Sequence, residues 1–315
     1  MQITIHAENA GRRLDKYLFN FLNNAPHSFI FKMLRKKRIK LNANRALGSE
    51  MLSEGDVLRF YLSEETIKSF RKDIFVPAAK PMPDIVYEDV NLLAVNKPAG
   101  LPSQGGMDSK GDSLLARLLF YLQEKGDYPP DADFAPGICN RLDVNTSGIV
   151  VCGKNLKTLQ ELNAMFRERK IKKEYLAVVE GIPGHVNENK MISAFFQKEF
   201  HARTAKITKE PSCGTAEIIT YYTVIATNST HSLLLVEPLT GRFHQIRAHL
   251  AFIGHPLAGD NKYGGKPIKY ARNQLLHCLR ISTDYMTDMS FEAPLPDNFN
   301  RCLKDWFKYK IHGCQ

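Results

Sequence analysis

The six cysteines, Cys139, Cys152, Cys213, Cys278, Cys302 and Cys314, include no C-x-x-C pair. Zinc ribbons, iron–sulfur spacing and thioredoxin-type chemistry therefore have no support. No apolar run approaches the roughly 18 residues a membrane span requires. Met1–Asp15 lacks the basic end followed by an apolar block that marks a signal peptide. The expectation is a soluble cytoplasmic protein with reduced thiols. Internal repeats, low-complexity tracts, Gly-rich phosphate loops and metal-ligand spacings are also missing. With 43% hydrophobic and 24% charged residues, the composition is that of a globular chain and not a disordered one.

What is present is length and positive charge. A chain of 315 residues suggests about two domains on a prior of roughly 100–200 residues each. Forty-three Lys and Arg against 33 Asp and Glu leave a net +10, which points to a polyanionic partner. The excess is uneven. Residues 1–80 hold 15 Lys and Arg against 8 Asp and Glu, +7 of the total, and the remaining 235 residues carry 28 against 25. A small basic module precedes a larger, nearly neutral one.

In the first module Leu14, Leu18, Phe21 and Leu22 follow helical spacing. Pro26-His27-Ser28 breaks the pattern, with Ser28 placed to cap a second helix through Lys37 that turns Ile30, Met33 and Leu34 inward. Lys32, Arg35, Lys36, Lys37, Arg38 and Lys40 form the densest basic cluster. Such a run can be a solvated helix face, but it lacks interspersed acids and leads into a short strand and tight turn, which favours phosphate contact. Short strands follow at Ile39–Leu41 and from Val57. Arg13-Leu14-Asp15-Lys16-Tyr17-Leu18, the basic helix, Ile39-Lys40-Leu41-Asn42 and Gly55-Asp56-Val57 together resemble the small RNA-binding domain named after a small-subunit ribosomal protein, the S-four domain. That resemblance implies RNA contacts from Arg13 and the basic cluster. The chain has Asn42-Ala43 where that family often has Asn-Gly, and His27-Ser28-Phe29 lacks an Arg frequently found there.

The predicted organisation is residues 1–63 as the basic module, 64–83 as a charged and Pro-containing linker, and 84–315 as the larger domain. Strands are expected at 85–87, 92–95, 148–152, 174–179, 216–226 and 232–237. One helix is expected over 155–169. A second, N-capped by Thr240, would carry Phe243, Ile246, Leu250 and Ile253 as its apolar stripe and end at Gly254. This is an α+β fold with a mainly antiparallel mixed sheet.

Two segments are unusual for scaffold. Asn140-Arg141-Leu142-Asp143-Val144-Asn145-Thr146-Ser147-Gly148 is a polar loop feeding an apolar strand, and Thr240–His249 clusters polar side chains on one short helix. Asp143 could simply close an Asx turn. Alternatively Asp143, the lone acid of its loop, pairs with an arginine of that helix. The pair would then hold the carboxylate ionised with a lowered pKa, able to act as nucleophile or base.

Five motifs in order resemble the RluA-type pseudouridine synthases. They are Asn96-Lys97-Pro98-Ala99-Gly100; Arg141-Leu142-Asp143 with Thr146-Ser147-Gly148; Lys173-Glu174-Tyr175; Leu239-Thr240-Gly241-Arg242 with His244-Gln245-Ile246-Arg247 and His249; and Pro256-Leu257 with Gly259-Asp260 and Tyr263-Gly264. The resemblance implies isomerisation of uridine in RNA, needing no metal, redox cofactor or energy source. It implies that Asp143 starts the reaction, that Arg247 pairs with it, and that Tyr175 stacks on the uracil and assists proton removal. Arg141 would fill the space of an extruded base or grip a phosphate, and Lys97 would touch phosphate or brace its loop. Asn140, Thr146, Arg242 and His244 complete the set expected to contact substrate. The family commonly has His at position 140 and Thr at position 243, and Phe243 is expected to pack in the apolar stripe. Large-subunit ribosomal RNA is the expected partner and transfer RNA the alternative, with a monomer sufficient. The competing classes are a non-catalytic RNA-binding or ribosome-assembly factor, which the retained Asp143 disfavours, and a glycoside hydrolase, which needs a second carboxylate.

Overall fold

The computed structural model describes residues 1–6, 9–70, 81–105, 111–128, 134–199, 204–285 and 289–308. The first module contains β1 (Gln2–Thr4), α1 (Leu14–Phe21), α2 (His27–Arg35), β2 (Ile39–Leu41), β3 (Asn44–Arg45), β4 (Val57–Phe60) and α3 (Glu64–Phe70). Leu14, Tyr17, Leu18 and Phe21 fall on one face of α1 and are buried, as are Ile30, Met33 and Leu34 of α2. They cover a four-stranded sheet in the order β1-β4-β2-β3.

Helix α2 starts at His27, two residues earlier than a Ser28 cap would place it. Pro26 occupies the cap position, where its carbonyl accepts from the Phe29 nitrogen at 2.9 Å, and no side chain caps the helix. Asn42 and Ala43 form the two-residue turn between β2 and β3, with φ of 49° and 65°. A hairpin of this length asks for positive φ at both positions. Asn42 is further tied to β4, its Oδ1 accepting from the Val57 nitrogen at 2.8 Å.

Residues 64–70, expected as linker, belong to this module. They form α3, whose Ile67 is buried in the module's core and whose Phe70 packs on Phe29. Charged residues on its exposed side had given it a linker's composition. Residues 71–80 of the expected linker lie outside the described residues.

The second module is built on one 11-stranded sheet. Its elements are β5 (Ile85–Glu88), β6 (Leu92–Lys97), α4 (Leu114–Lys125), β7 (Gly137–Ile138), β8 (Ser147–Gly153), α5 (Leu156–Arg167), β9 (Lys172–Glu180), β10 (Asn189–Glu199), β11 (Thr204–Thr208), β12 (Ala216–Thr227), β13 (His231–Pro238), α6 (Gln245–Phe252), β14 (Leu276–Ser282), β15 (Ser290–Glu292) and α7 (Asp297–Cys302). The main path runs β11-β10-β12-β13-β9-β14-β8-β6-β5, with β15 on β14 and β7 on β8. Every pairing is antiparallel except β14 with β8, so the sheet is mixed and mainly antiparallel, as expected. Among the described residues no helix is long and apolar enough to cross a membrane.

The parallel pair β8–β14 lies at the centre of the sheet and places the site. Strand β8 is buried along its whole length. Gly148, with φ of 117°, sits against Cys278 of β14, and a Cβ there would lie 2.6 Å from the Cys278 nitrogen. Only glycine permits both this backbone conformation and this approach. On the other side of β14, Cys278 pairs with Tyr175 of β9. Gly148, Cys278 and Tyr175 thus form a line across three strands, and the loop carrying Asp143 ends at the head of β8.

Candidate active site

The loop before β8 is held from two directions. The Thr146 nitrogen donates to the Asp143 carbonyl at 3.0 Å, so the turn is closed by backbone and the Asp143 carboxylate is not consumed by an Asx turn. The segment after β6 grips the loop from outside. Ser103 Oγ donates to the Leu142 carbonyl at 2.8 Å and accepts from the Leu142 nitrogen at 3.0 Å. The Gly100 nitrogen donates to the Val144 carbonyl at 2.8 Å.

Lys97 completes the grip. Its Nζ donates to the carbonyls of Pro98, Leu101 and Val144 at 2.9, 2.8 and 3.1 Å, which uses all three ammonium protons. The side chain is fully buried, so it offers nothing to a phosphate; its geometry is that of a brace. Burial pushes its pKa down to about 7, against the opposing pull of Asp143.

Asp143 itself remains accessible, its side chain 23% exposed. Its Oδ2 accepts from Arg247 Nη1 at 3.1 Å. Arg247 is buried on α6 and divides itself between two acids: its Nε and Nη2 donate to the two oxygens of buried Asp260, each at 2.8 Å. This two-pronged bond fixes the plane of the guanidinium and leaves one edge for Asp143. The expected lowered carboxyl pKa is not what results. Burial raises the Asp143 pKa, Arg247 and Lys97 oppose that, and the neighbouring Asp260 raises it further. An arginine already committed to one carboxylate is a weaker partner for a second. In the sequence Asp260 stands only as part of a motif. Its role rests on a long-range contact that spacing does not encode.

Tyr175 is buried on β9. Burial, then the neighbouring Cys278 thiol, then the charge of Asp143 hold its pKa well above the usual phenol value. It is therefore a neutral phenol at physiological pH, suited to stacking and donating more than to removing a proton. Lys173, two residues earlier and half-buried, has its pKa lowered by burial and reaches towards Gly241.

His244 precedes α6 in the left-handed region, at φ 55°. Its Nδ1 meets the Tyr263 hydroxyl at 2.9 Å, and its Nε2 lies 3.6 Å from Asp143 Oδ2. Burial and the nearby Arg247 and Lys262 push its pKa down to about 3 despite Asp260, so the imidazole is neutral around pH 7. Tyr263 also accepts from the Ala205 nitrogen at 2.8 Å, and its ring faces the Arg247 guanidinium at 5.0 Å.

Several expected substrate contacts face the scaffold. The Asn140 side chain completes the edge of β8, donating to the Ile149 carbonyl and accepting from the Val151 nitrogen at 3.0 and 2.9 Å. Thr146 is buried beside Gln274. Thr240 does not cap α6; it tethers to Ile219 of β12 and to the Gln245 side chain. Phe243 lies before the helix and is 38% exposed, so it is not part of the apolar stripe, although Ile246 and Leu250 are buried as expected. Arg141 and Arg242 are exposed, and neither makes an ion pair among the described residues. Among the described residues no group of three or more His, Cys, Asp or Glu is placed to hold a metal ion.

In the first module Lys32, Arg35, Lys36, Lys37 and Arg38 are exposed, and Lys40 is half-buried with its ammonium 5.4 Å from the Tyr61 ring. Arg13 is less available than expected, because it is bonded to both oxygens of Asp15 at 2.8 and 3.2 Å.

The site thus combines a partly exposed carboxylate, a buried arginine bonded to it and a buried, neutral tyrosine on a neighbouring strand. The profile of the RNA pseudouridylate synthase family matches residues 91–252, which contain Asp143, Tyr175 and Arg247. The chain belongs to that family, a family of isomerases. It is 35% identical to ribosomal large subunit pseudouridine synthase C of Rickettsia bellii (strain RML369-C), over 96% of this chain and 100% of that one. It is 32% identical to the synthase C of Vibrio vulnificus (strain CMCP6), over 96% and 95% of the two chains. Its fold is similar to that of human RNA pseudouridylate synthase domain containing 4, with a TM-score of 0.56 at 22% identity, covering 70% of this chain and 91% of that one.

Proposed function

We propose that the protein converts uridines of large-subunit ribosomal RNA to pseudouridine, with Asp143 opening the reaction. The carrying observation is the carboxylate's position. It is accessible, free of its own loop, bonded to Arg247 and backed by a fully buried lysine clamp. The ribosomal substrate is supported by the relatives named above, whose similarity extends over both modules.

In the isomerisation the N1–C1′ bond of the uridine breaks and a C5–C1′ bond forms. The proton leaves C5, and N1 ends protonated, so nothing is gained or lost overall. Asp143 acts on the ribose, by attack on C1′ or by taking the proton of the adjacent carbon. Both routes need it ionised when substrate is bound, and Arg247 opposes the rise in pKa that burial imposes. Tyr175 supplies a wall for the detached uracil. A target within folded RNA must leave its stack to reach the acid, at a cost of a few kcal/mol. Arg141 is exposed next to the acid and suited to fill that gap or grip a phosphate.

The first module is read as an S-four-like RNA grip. Five exposed cations on α2 and the segment after it support this. Neutralising Lys36, Lys37 and Arg38 together removes up to three phosphate contacts. Binding to ribosomal RNA should then weaken and the slope of log affinity against log salt should flatten by about 0.7–0.9 per lost contact. An unchanged slope in a filter-binding titration would remove the module from RNA binding.

The direct test of function is a map of pseudouridines in total RNA from cells with and without the protein. Loss of one or more sites confined to large-subunit ribosomal RNA is expected. Loss confined to transfer RNA would overturn the ribosomal assignment, and an unchanged map would overturn the activity.

A further inference from the structure

We propose that Phe243 is a stacking platform for the RNA base next to the target uridine, a role that rests on the reading of the protein as an RNA pseudouridine synthase. A singly exposed phenylalanine is ordinary on a protein surface, so the weight lies on how this one is mounted. Its ring is stacked on the His244 imidazole, with centroids 3.7 Å apart and planes within 20°. The imidazole in turn is edge-on to Tyr263 and bonded to its hydroxyl. His244 Nε2 is 3.6 Å from the Asp143 carboxylate. The phenyl ring is thus a single aromatic layer removed from the acid proposed to start the reaction.

The backbone holds it there. His244 adopts a left-handed conformation that non-glycine residues rarely take. That bend occurs outside the helix proper, and the Arg242 nitrogen donates to Gln245 Oε1 at 3.0 Å across it. The result turns the Phe243 side chain outwards from a segment whose following residues, Gln245 to Leu250, are all buried. Residues in sparsely populated conformations persist where the surroundings over-determine them, and they gather at functional sites.

The neighbouring charges suit a nucleic acid strand. Exposed Lys198 holds its ammonium 5.2 Å from the ring centroid, and exposed Arg242 is the preceding residue. An aromatic face flanked by cations is the general arrangement by which proteins hold single-stranded RNA: the ring takes a base and the cations take phosphates. A base stacking on this ring takes the place the Lys198 ammonium holds over it, and the ammonium turns to the backbone phosphate. The platform would steady the strand beside the extruded uridine, so Phe243 is a positioning residue and takes no part in bond making.

The test uses the full chain and large-subunit ribosomal RNA transcribed in vitro, which starts without pseudouridine. Single-turnover rates are measured against protein concentration for the wild type, Phe243→Ala and Phe243→Trp. The alanine variant is expected to need about 5- to 150-fold more protein for half-maximal rate, the range set by losing one base–aromatic stack, with a smaller change in the saturating rate. Tryptophan should restore the wild-type value. With 2-aminopurine placed beside the modified uridine, the wild type and the tryptophan variant should quench its fluorescence, and the alanine variant should not. Wild-type half-saturation in the alanine variant, or equal impairment by alanine and tryptophan, would overturn the platform while leaving the enzyme's function intact. Absence of pseudouridine formation by the wild type would instead strike down the functional reading on which it rests.

Discussion

Asp143→Asn should abolish pseudouridine formation, by roughly 10⁴-fold or more on the scale seen when one member of a catalytic constellation is removed. It should do so without unfolding the protein. Asparagine has nearly the same shape and keeps an oxygen for Arg247 Nη1, while Arg247 retains both bonds to Asp260. The folded protein raises the pKa of Asp143, chiefly by burial. A carboxyl whose folded pKa exceeds its unfolded value contributes stability below the unfolded value and loses it as pH rises through the folded one. The wild type loses that contribution as pH rises, whereas a neutral amide is indifferent to pH. The melting temperature of Asp143→Asn at pH 7 should therefore equal or exceed that of the wild type, and its advantage should shrink towards pH 4. The same shift fixes the acid side of the pH–rate profile. Activity should fall at a pH above the ordinary aspartate value of about 3.9. His244, held neutral with a pKa near 3, should add no inflection between pH 5 and 8. Normal turnover by the variant would remove Asp143 from the mechanism. An acid limb below pH 3.9 would show that Arg247, and not burial, governs the carboxyl.

The parts legible in the sequence are those dictated by local spacing. The inward faces of α1 and α2, the helix α5 and the apolar strand β8 follow from hydrophobic periodicity. The pairing of Asp143 with Arg247, 104 positions apart, was legible because both lie in motifs that carry a family resemblance. Parts that depend on distant partners were not. Lys97 reads equally as a phosphate contact or a loop brace until its three carbonyls, one of them from Val144, close around it. Asn140 looks like a substrate contact until β8 takes both ends of its amide. Thr240 has the composition of a helix cap but is claimed by Ile219 of a neighbouring strand. Phe243 fits the helical stripe by count, yet the left-handed turn at His244 delays the helix and leaves the ring outside. In each case the local signal was real and a tertiary partner outweighed it.

Arg247→Leu carries the second large effect, and it reaches both stability and activity. The substitution leaves the Asp260 carboxylate buried with neither of its guanidinium bonds, and it removes the cation beside Asp143. Breaking one side of a buried ion pair costs about 3–5 kcal/mol, because the remaining charge is left uncompensated. The pKa of Asp143 should climb further, since Arg247 is its principal opposing influence. Arg247→Lys should recover little, because an ammonium cannot present the planar fork that spans both Asp260 oxygens and Asp143 together. The informative variant is the double change Arg247→Leu with Asp260→Leu, which deletes both charges. Replacing a buried pair by apolar residues is often neutral or stabilising, so urea unfolding should show much of the lost stability restored. Pseudouridine formation should stay at the level of Arg247→Leu alone, because Asp143 still lacks its cation. Recovery of activity along with stability would mean that Arg247 serves the fold and Asp143 needs no charged partner. Recovery of stability alone would separate the two duties of this arginine: one edge neutralises a buried acid, and the other keeps the reactive carboxyl charged.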